Sequence, residues 1–202
     1  REGVGGAVEL VGDVMVDVAM KVQPEARERV DLVRGRGLTS GDYVLATAHR
    51  AGNVDDPSRL AQLVELLLSV PCKVVLPLHP RTHARLRSAG LVERLQRSER
   101  LVVTPPLGYL ELTALLCNAR AVLTDSGGLQ KEAYLAGVPC ITLRSSTEWV
   151  ETVENGWNVL VDLDTGAALE ALERPRPDAR APLYGDGHAS ERVVDALTLH
   201  LG

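Results

Sequence analysis

The chain has no phenylalanine, only three cysteines and no apolar run long enough to cross a membrane. A transmembrane helix needs about 20 consecutive apolar residues, and the first residues lack the charged, apolar and small-residue segments of a signal peptide. The cysteines, Cys72, Cys117 and Cys140, are odd in number and lie in apolar contexts, which favours buried thiols over disulfides or metal ligands. These absences predict a globular, cytoplasmic protein that does not associate with membranes.

Clusters of basic residues are also absent, and 22 Lys and Arg stand against 27 Asp and Glu. Proteins that bind nucleic acids present such clusters to the phosphate backbone, so the formal net charge of −5 argues against a nucleic-acid partner. With 202 residues and 45% hydrophobic content, the chain is able to bury the core of one large domain.

Short apolar runs alternate with amphipathic segments from Tyr43 onward. Runs this continuously apolar are typical of strands covered on both faces. The pattern predicts an α/β fold, a Rossmann-like, doubly wound parallel sheet of about six strands. The predicted strands are YVLATAH, KVVLPLH, LVVT, RAVLTD, VPCITL and WNVLVDL, and the helices that follow them span residues 57–70, 82–96, 109–118, 129–136, 148–155 and 166–172.

The two ends of the chain differ from this repeating part. Val8–Met20 reads as a strand, a turn and a helix without a partner strand, and a Gly/Arg-rich stretch at Arg34–Gly41 follows it. Residues 1–40 are therefore predicted to be a junction segment, with a missing domain upstream, and residues 41–173 the sheet domain. Residues 174–202 are predicted to form a Pro/Gly-rich surface segment and a last helix that pack back across the fold.

The most informative stretch is Ala119–Gly137, in which a buried strand runs into Asp-Ser-Gly-Gly and then directly into a helix. Gly127 and Gly128 allow a ligand to approach the backbone, and the free N–H groups of the helix attract an anion such as phosphate. Glu132 follows Ser126 by six residues and is placed to reach the hydroxyl pair of a sugar, which favours a nucleotide. A plain tight turn followed by a solvated Glu132 has the same local pattern.

Polar residues follow five of the predicted strands at their carboxyl ends. Ligands of open α/β sheets bind outside these ends, and Arg forms bidentate contacts with phosphates. The sequence therefore predicts a site for a diphosphate at this edge. Its candidate residues are His49 and Arg50, His79 and Arg81, Pro106, Leu107 and Tyr109, Ser126, Gly127 and Gly128 with Glu132, and Arg144, Thr147 and Glu148.

Two other kinds of site fit the residues less well. His49, His79 and His83 are imidazoles of the kind that bind zinc, but Pro80 separates the last two and no acidic residue nearby completes the set. Ser126 lacks the Gly-x-Ser-x-Gly turn of α/β hydrolases. The sequence predicts neither a metal site nor a serine nucleophile.

Several motifs together resemble the non-hydrolysing UDP-N-acetylglucosamine 2-epimerases. The resemblance runs from about Val11 to the YGDGHASERVVDAL segment at residues 184–197 and covers the following motifs in order: VGDVMVD, LATAHRAGNVDD, VVLPLHPRT, PPLGYLELTALLCNA, LTDSGGLQKEA and GVPCITLRSSTEWVETVENGWNVLV. It implies a GT-B fold of two Rossmann-like domains, of which this chain is the C-terminal, nucleotide-binding half.

The resemblance also implies a reaction and roles for the candidate residues. UDP is eliminated from the sugar to give a 2-acetamidoglucal and is then added back after reprotonation from the other face, without NAD or another cofactor. His49 would be the catalytic residue near the diphosphate, Ser126 and Gly127 would bind phosphate, Glu132 the ribose, and Pro106–Tyr109 would line the uracil. His79 and Arg81 would contact a second nucleotide sugar. The family commonly forms homodimers.

The chain departs from the pattern of that family at several positions. Ala51 and Gly52 replace Arg-Glu, Lys131 replaces Glu, and Trp149 replaces an Arg expected to bind the diphosphate. Versions with the Trp resemble epimerases of modified sugars such as UDP-diacetamido-glucuronic acid. The acidic residues that move the C2 proton would lie in the absent domain, so this chain alone is expected to bind UDP without epimerising. A GT-B glycosyltransferase and a non-enzymatic module that binds UDP-sugars remain alternatives.

Overall fold

A computed structural model of the chain describes residues 8–201, with side chains up to residue 199. Its centre is a single sheet in the order β3-β2-β1-β4-β5-β6, in which every neighbouring pair is parallel. The predicted doubly wound α/β sheet is confirmed, and every strand lies within its predicted run. The strands are β1 (Tyr43–Thr47), β2 (Lys73–Pro77), β3 (Leu101–Thr104), β4 (Ala121–Thr124), β5 (Cys140–Thr142) and β6 (Asn158–Leu160).

Helices precede the sheet, connect its strands and end the chain. Residues 8–201 contain α1 (Val14–Glu28), α2 (Val30–Arg34), α3 (Ala51–Val54), α4 (Pro57–Ser69), α5 (Pro80–Ser88), α6 (Val92–Gln96), α7 (Tyr109–Cys117), α8 (Gly127–Ala136), α9 (Val150–Glu154), α10 (Thr165–Glu173) and α11 (Ala189–Leu201). Within this range, no helix combines the length and the apolar character that crossing a membrane requires.

The strands bury both faces of the sheet, because successive side chains point to opposite sides. Val44 and Leu123 belong to a core that also contains Leu63 of α4. Leu45 and Val122 belong to a second core, on the side of α7 and α8. This alternation explains why the strands read as continuous apolar runs.

The opening segment differs from the prediction. Residues 8–13 form no strand, so the expected strand in Val8–Met20 is wrong. Asp13 instead caps α1, because its Oδ1 accepts a hydrogen bond from Met15 N at 2.8 Å, and the helix continues past Pro24 to Glu28. Residues 1–7 of the predicted junction segment, and Gly202 at the other end, lie outside the described residues.

Two connections also differ from the prediction. The helix expected over residues 82–96 starts earlier, at Pro80, where His79 Nδ1 accepts a hydrogen bond from Arg81 N at 3.2 Å. It then divides into α5 and α6 near Gly90, whose φ of +67° is in the left-handed region that favours glycine. The short helix α3, directly after β1, was not predicted.

The segment that follows α10 packs back across the fold, as expected. Trp157 Nε1 donates to the carbonyl of Ala179 at 2.9 Å, and the hydroxyl of Tyr134 donates to the carbonyl of Ala181 at 2.6 Å. Helix α11 then contacts α1, where Asp17 accepts hydrogen bonds from the backbone of residues 189 and 190. The predicted division of the chain at residues 40 and 173 stays a prediction.

Candidate functional site

A cavity of about 340 Å³ opens at the carboxyl ends of β1 and β4. The strand order reverses between these two strands, and doubly wound sheets bind their ligands in the crevice at that point. The cavity brings together eight of the predicted residues, from the ends of four strands. They are His49, His79, Pro106, Leu107, Tyr109, Ser126, Gly128 and Glu132.

The N-terminus of α8 forms one side of this cavity. Ser126 caps the helix, with its Oγ accepting a hydrogen bond from Leu129 N at 3.5 Å. Gly128 is exposed, and a Cβ added there would meet only Ser126 Oγ, at 3.9 Å. The free N–H groups and the positive end of the helix dipole are therefore accessible to an anion in the cavity.

Asp125 was not among the predicted site residues, although it organises the loop after β1. Its side chain is fully buried and accepts hydrogen bonds from His49 N at 3.1 Å, Arg50 N at 2.9 Å and Asn53 Nδ2 at 3.2 Å. Asn53 also donates to the carbonyl of Leu143 at 2.8 Å. A buried carboxylate needs such donors, so Asp125 fixes the backbone that carries His49 and Arg50.

The imidazole of His49 lies between Asp125 and His79. His49 Nδ1 is 3.6 Å from Asp125 Oδ1, and the ring stacks on that of His79, with centroids 5.2 Å apart and an interplanar angle of 30°. His49 Nε2 has no hydrogen-bond partner among residues 8–201. The contact with Asp125 orients the ring, which leaves Nε2 available to donate to or accept from a bound molecule.

Glu132 and Tyr109 also line this cavity. Burial raises the pKa of the Glu132 carboxyl group above the ordinary value, and a hydrogen bond from Tyr109 opposes this shift. No Lys, Arg or His side chain in the described part of the chain forms an ion pair with Glu132. A ligand with hydroxyl donors would supply the partners that this carboxylate lacks.

A second, polar cavity of about 330 Å³ has Arg50, the neighbour of His49, in its lining. Arg144 forms a bidentate ion pair with Glu148, both contacts at 2.9 Å, which lowers the pKa of the Glu148 carboxyl to about 2. Thr147 Oγ1 donates to Gln130 Oε1 at 2.6 Å. The second cavity is lined by Arg50, Gly52, Asn53, Arg59, Arg144, Ser145, Ser146 and Asp162.

The structure does not bring every predicted residue into these cavities. Arg81 lines neither of them, and its guanidinium group forms an ion pair with Asp55, as does that of Arg85. Glu148 and Thr147 border the polar cavity through their partners without lining it. Across residues 8–201, no three His, Cys, Asp or Glu side chains come together in a set that could hold a metal ion.

Two of the positions at which the sequence departs from the resembled family lie in direct contact. Lys131 Nζ is 3.7 Å from the ring centroid of Trp149, and the Trp149 indole N–H donates to the carbonyl of Gly127 at 2.7 Å. Lys131 also forms an ion pair with Asp13, at the start of α1. The pair with Asp13 joins positions 118 residues apart, and Trp149 reaches Gly127 across 22 residues, so no local pattern could reveal these contacts.

Comparison with known proteins identifies the family. A family model described as UDP-N-acetylglucosamine 2-epimerase matches residues 1–198. The UDP-2,3-diacetamido-2,3-dideoxy-D-glucuronate 2-epimerase of Pseudomonas aeruginosa is 45% identical, over 93% of this chain and 51% of its own length. A UDP-N-acetylglucosamine 2-epimerase homolog of Methanococcus maripaludis is 37% identical, over 98% of this chain and 56% of its own length.

A solved structure supports the same relationship. The UDP-GlcNAc 2-epimerase of Methanocaldococcus jannaschii, in complex with UDP-GlcNAc and UDP, superposes with a TM-score of 0.87 at 36% identity, covering 98% of this chain and 57% of that one. The chain therefore spans about half the length of the relatives it matches. It belongs to the UDP-N-acetylglucosamine 2-epimerase family and corresponds to a C-terminal portion of its GT-B fold.

Proposed function

We propose that this chain binds the UDP moiety of a UDP-N-acetylhexosamine and is the nucleotide-binding half of a non-hydrolysing 2-epimerase. The observation that carries the proposal is one cavity at the β1/β4 crevice, which combines a capped helix N-terminus, a histidine and a half-buried glutamate that has no cation partner in the described part of the chain. The helix N-terminus suits the phosphates, and Glu132 suits the ribose hydroxyls. Pro106, Leu107 and Tyr109 are then placed to line the uracil.

The proposed chemistry starts with elimination of UDP. The C2 proton leaves to a base, its electron pair forms the C1=C2 double bond of a 2-acetamidoglucal, and the C1–O bond breaks with its electrons on the departing UDP. Re-addition of UDP after protonation of C2 from the other face completes the inversion. We assign no residue of this chain to the movement of the C2 proton.

In this reaction the residues of the chain stabilise the leaving group. Negative charge grows on the diphosphate as the C1–O bond breaks, and preorganised donors that face it lower the barrier most. The first turn of α8 and the hydroxyl of Ser126 would supply neutral donors, and Arg50 a positive charge. His49, oriented by Asp125, would donate to the diphosphate oxygen through Nε2.

Calorimetric titration of the chain with UDP tests the proposal. We expect Glu132→Ala to weaken UDP binding by roughly 1–3 kcal/mol, because charge-assisted hydrogen bonds to the ribose are lost. Glu170→Ala is the matched control, since Glu170 is an exposed glutamate on α10 whose side chain is 75% accessible. Unchanged affinity in Glu132→Ala would remove Glu132 from the site, and absence of UDP binding by the unaltered chain would refute the proposal.

The proposed epimerisation requires the N-terminal domain as well as this chain. We propose that this chain alone binds UDP without epimerising, and that activity appears when it is combined with the N-terminal half of a relative. In that mixture, His49→Ala is expected to lower the turnover number more than the affinity for UDP. Equal losses would make His49 a binding residue only, and absence of turnover in the unaltered mixture would favour a module that binds UDP-sugars.

A modified sugar is a second candidate for the substrate. The relative that acts on a diacetamido-glucuronate is 45% identical to this chain, and a uronate carries a carboxylate that an arginine-lined cavity would suit. Arg50, Arg144, Ser145 and Ser146 line such a cavity beside the proposed diphosphate position. If the substrate is a uronate, we expect it to bind about tenfold more tightly than UDP-GlcNAc and to lose that advantage in Arg50→Gln, since Arg50 has no ion-pair partner in the described part of the chain.

A further inference from the structure

The first turn of α8 carries no side chain at two successive positions, Gly127 and Gly128. Glycine loses more conformational freedom on ordering than any other residue, and N–H groups stabilise an anion only when they are already held in place. The first turn of α8, which we call the diphosphate cradle, therefore contains the two residues of this helix that lose the most conformational freedom on ordering. Something outside the helix has to restrain it.

Trp149 supplies such a restraint. Its indole N–H donates to the carbonyl oxygen of Gly127 at 2.7 Å, from a segment 22 residues further along the chain. A Cβ added at Gly127 would lie only 3.4 Å from the Trp149 Nε1 atom and 3.3 Å from Glu148 Oε2. The indole therefore lies directly against the helix backbone at position 127.

The indole is itself held by several contacts. Lys131 Nζ lies 3.7 Å from its ring centroid, a cation–π distance. The ring of Tyr184 meets it edge-on, with centroids 5.9 Å apart and an angle of 84°. At the backbone, Trp149 N donates to Thr147 Oγ1 at 3.0 Å.

Lys131 has a buried charge that depends on one carboxylate. Its side chain is 5% exposed and pairs with Asp13, the residue that caps α1. Asp13 N in turn donates to the carbonyl of Tyr184 at 3.1 Å. The cation next to the indole is therefore fixed from the start of α1 and from the segment before α11.

We infer that Trp149 is a positioning residue for the diphosphate cradle, and that Lys131, paired with Asp13, holds its indole in place. Trp149 acts on the ligand through the Gly127 carbonyl, which it fixes, and so through the N–H groups of the first turn of α8. The inference rests on the proposed binding of UDP. It assigns Trp149 an indirect role in place of the direct diphosphate contact that an arginine would make.

Trp149→Phe tests the inference because it keeps an aromatic ring and removes the N–H donor. Trp157→Phe is the matched control, since the Trp157 indole N–H also donates to a backbone carbonyl, that of Ala179 at 2.9 Å, away from the cradle. Calorimetry with UDP and with uridine separates the phosphate-dependent part of binding. We expect Trp149→Phe to weaken UDP binding about 3–10-fold, the worth of one hydrogen bond, and to leave uridine within about twofold.

A second readout needs no nucleotide. Amide hydrogen exchange over residues 127–131 is expected to quicken in Trp149→Phe and in Lys131→Met, while Lys131→Arg, which keeps the cation, exchanges at nearly the original rate. Trp157→Phe should change neither exchange in this turn nor UDP affinity. Circular dichroism establishes that each variant is folded.

The outcomes separate this inference from the proposed function. Suppose that the unaltered chain binds UDP. If Trp149→Phe binds UDP equally well, or if its affinities for UDP and uridine fall by the same factor, Trp149 has no positioning role. Unchanged hydrogen exchange in residues 127–131 would overturn the inference in the same way. If the unaltered chain binds no UDP at all, the proposed function fails and the inference fails with it.

Discussion

Four carboxylates at the same edge of the sheet fall into two contrasting pairs. Asp55 and Glu148 are solvated and each is paired with arginine, Asp55 with Arg81 and Glu148 with Arg144. Asp125 and Glu132 lie inward, Asp125 fully buried and Glu132 within the cavity at the β1/β4 crevice. Neither inner carboxylate has an arginine or lysine partner in the described part of the chain.

The difference shows which carboxylates at this edge already have partners within the protein and which do not. The arginines hold the pKa of Asp55 and Glu148 below their ordinary values, so these charges are neutralised within the protein. Asp125 is satisfied by N–H donors alone. Glu132 has neither a cation nor a set of donors and its pKa is raised by burial. Of the four, Glu132 is the carboxylate with room for a ligand.

The largest expected effect distinguishes the two aspartates. We expect Asp125→Ala to lower the free energy of unfolding by roughly 3–5 kcal/mol, because it leaves the N–H groups of His49, Arg50 and Asn53 buried without an acceptor. Asp55→Ala removes a solvated ion pair and should leave stability nearly unchanged. Urea denaturation monitored by circular dichroism measures the free energy of unfolding of both variants. Similar losses of stability in the two would contradict the distinction between the inner and the solvated carboxylates.

A smaller effect is expected at Glu132, where stability and binding should change in opposite directions. Burial raises the pKa of this carboxyl, so its contribution to stability is full below the ordinary glutamate pKa of about 4.3 and is lost as pH rises through the raised value. At neutral pH, Glu132→Gln should therefore raise the melting temperature of the free chain by roughly 2–4 °C and weaken UDP binding. This gain in melting temperature should disappear near pH 4.

Differential scanning fluorimetry at the two pH values, with and without UDP, measures this trade-off. Glu148→Gln serves as the comparison because its carboxylate is paired, and it should show no gain at neutral pH. A destabilised Glu132→Gln variant would mean that the inner carboxylate already has the partners it needs.

The smallest effect concerns the Arg144–Glu148 pair. The hydrogen bonds from Arg144 lower the pKa of Glu148 to about 2, so the pair contributes stability above the ordinary glutamate pKa and loses it as pH falls toward 2. Because both groups contact solvent, the contribution is screened and small. NMR titration of the Glu148 carboxyl carbon should show a higher pKa in Arg144→Gln than in the original chain, shifted toward the ordinary value of about 4.3. An ordinary pKa for Glu148 in the original chain would contradict the pairing.

Much of the fold could be predicted because the signals are local. Each strand is an apolar run that both faces of a sheet can bury, and the observed strands, such as β3 at Leu101–Thr104, lie within those runs. The failures occurred where local patterns are ambiguous. Residues 8–13 contain apolar residues but have no neighbouring strand, and the sequence around Gly90 does not distinguish a continuous helix from two short ones.

The site could be predicted in part, because parallel strands bring their carboxyl ends to one edge. That rule collects His49, Ser126 and Glu132 without reference to side-chain partners. It could not distinguish Arg81, which forms an ion pair with Asp55, from Arg50, which forms no ion pair in the described part of the chain. The rule places Asp125 at this edge but gives it no role, because that role depends on a loop 76 residues away in the chain. The family resemblance treated Trp149 and Lys131 as separate departures, although they touch.

The ion pair between Asp13 and Lys131 has a practical consequence for how this protein can be trimmed. A shorter version that begins at residue 41, where the sheet domain was predicted to start, would lose the carboxylate that neutralises Lys131 and leave an ammonium group enclosed among aromatic rings. Such an isolated charge is costly, so the trimmed protein should fold poorly unless Lys131 is replaced at the same time. As long as Lys131 is kept, the smallest version that folds on its own should therefore include α1 with its cap.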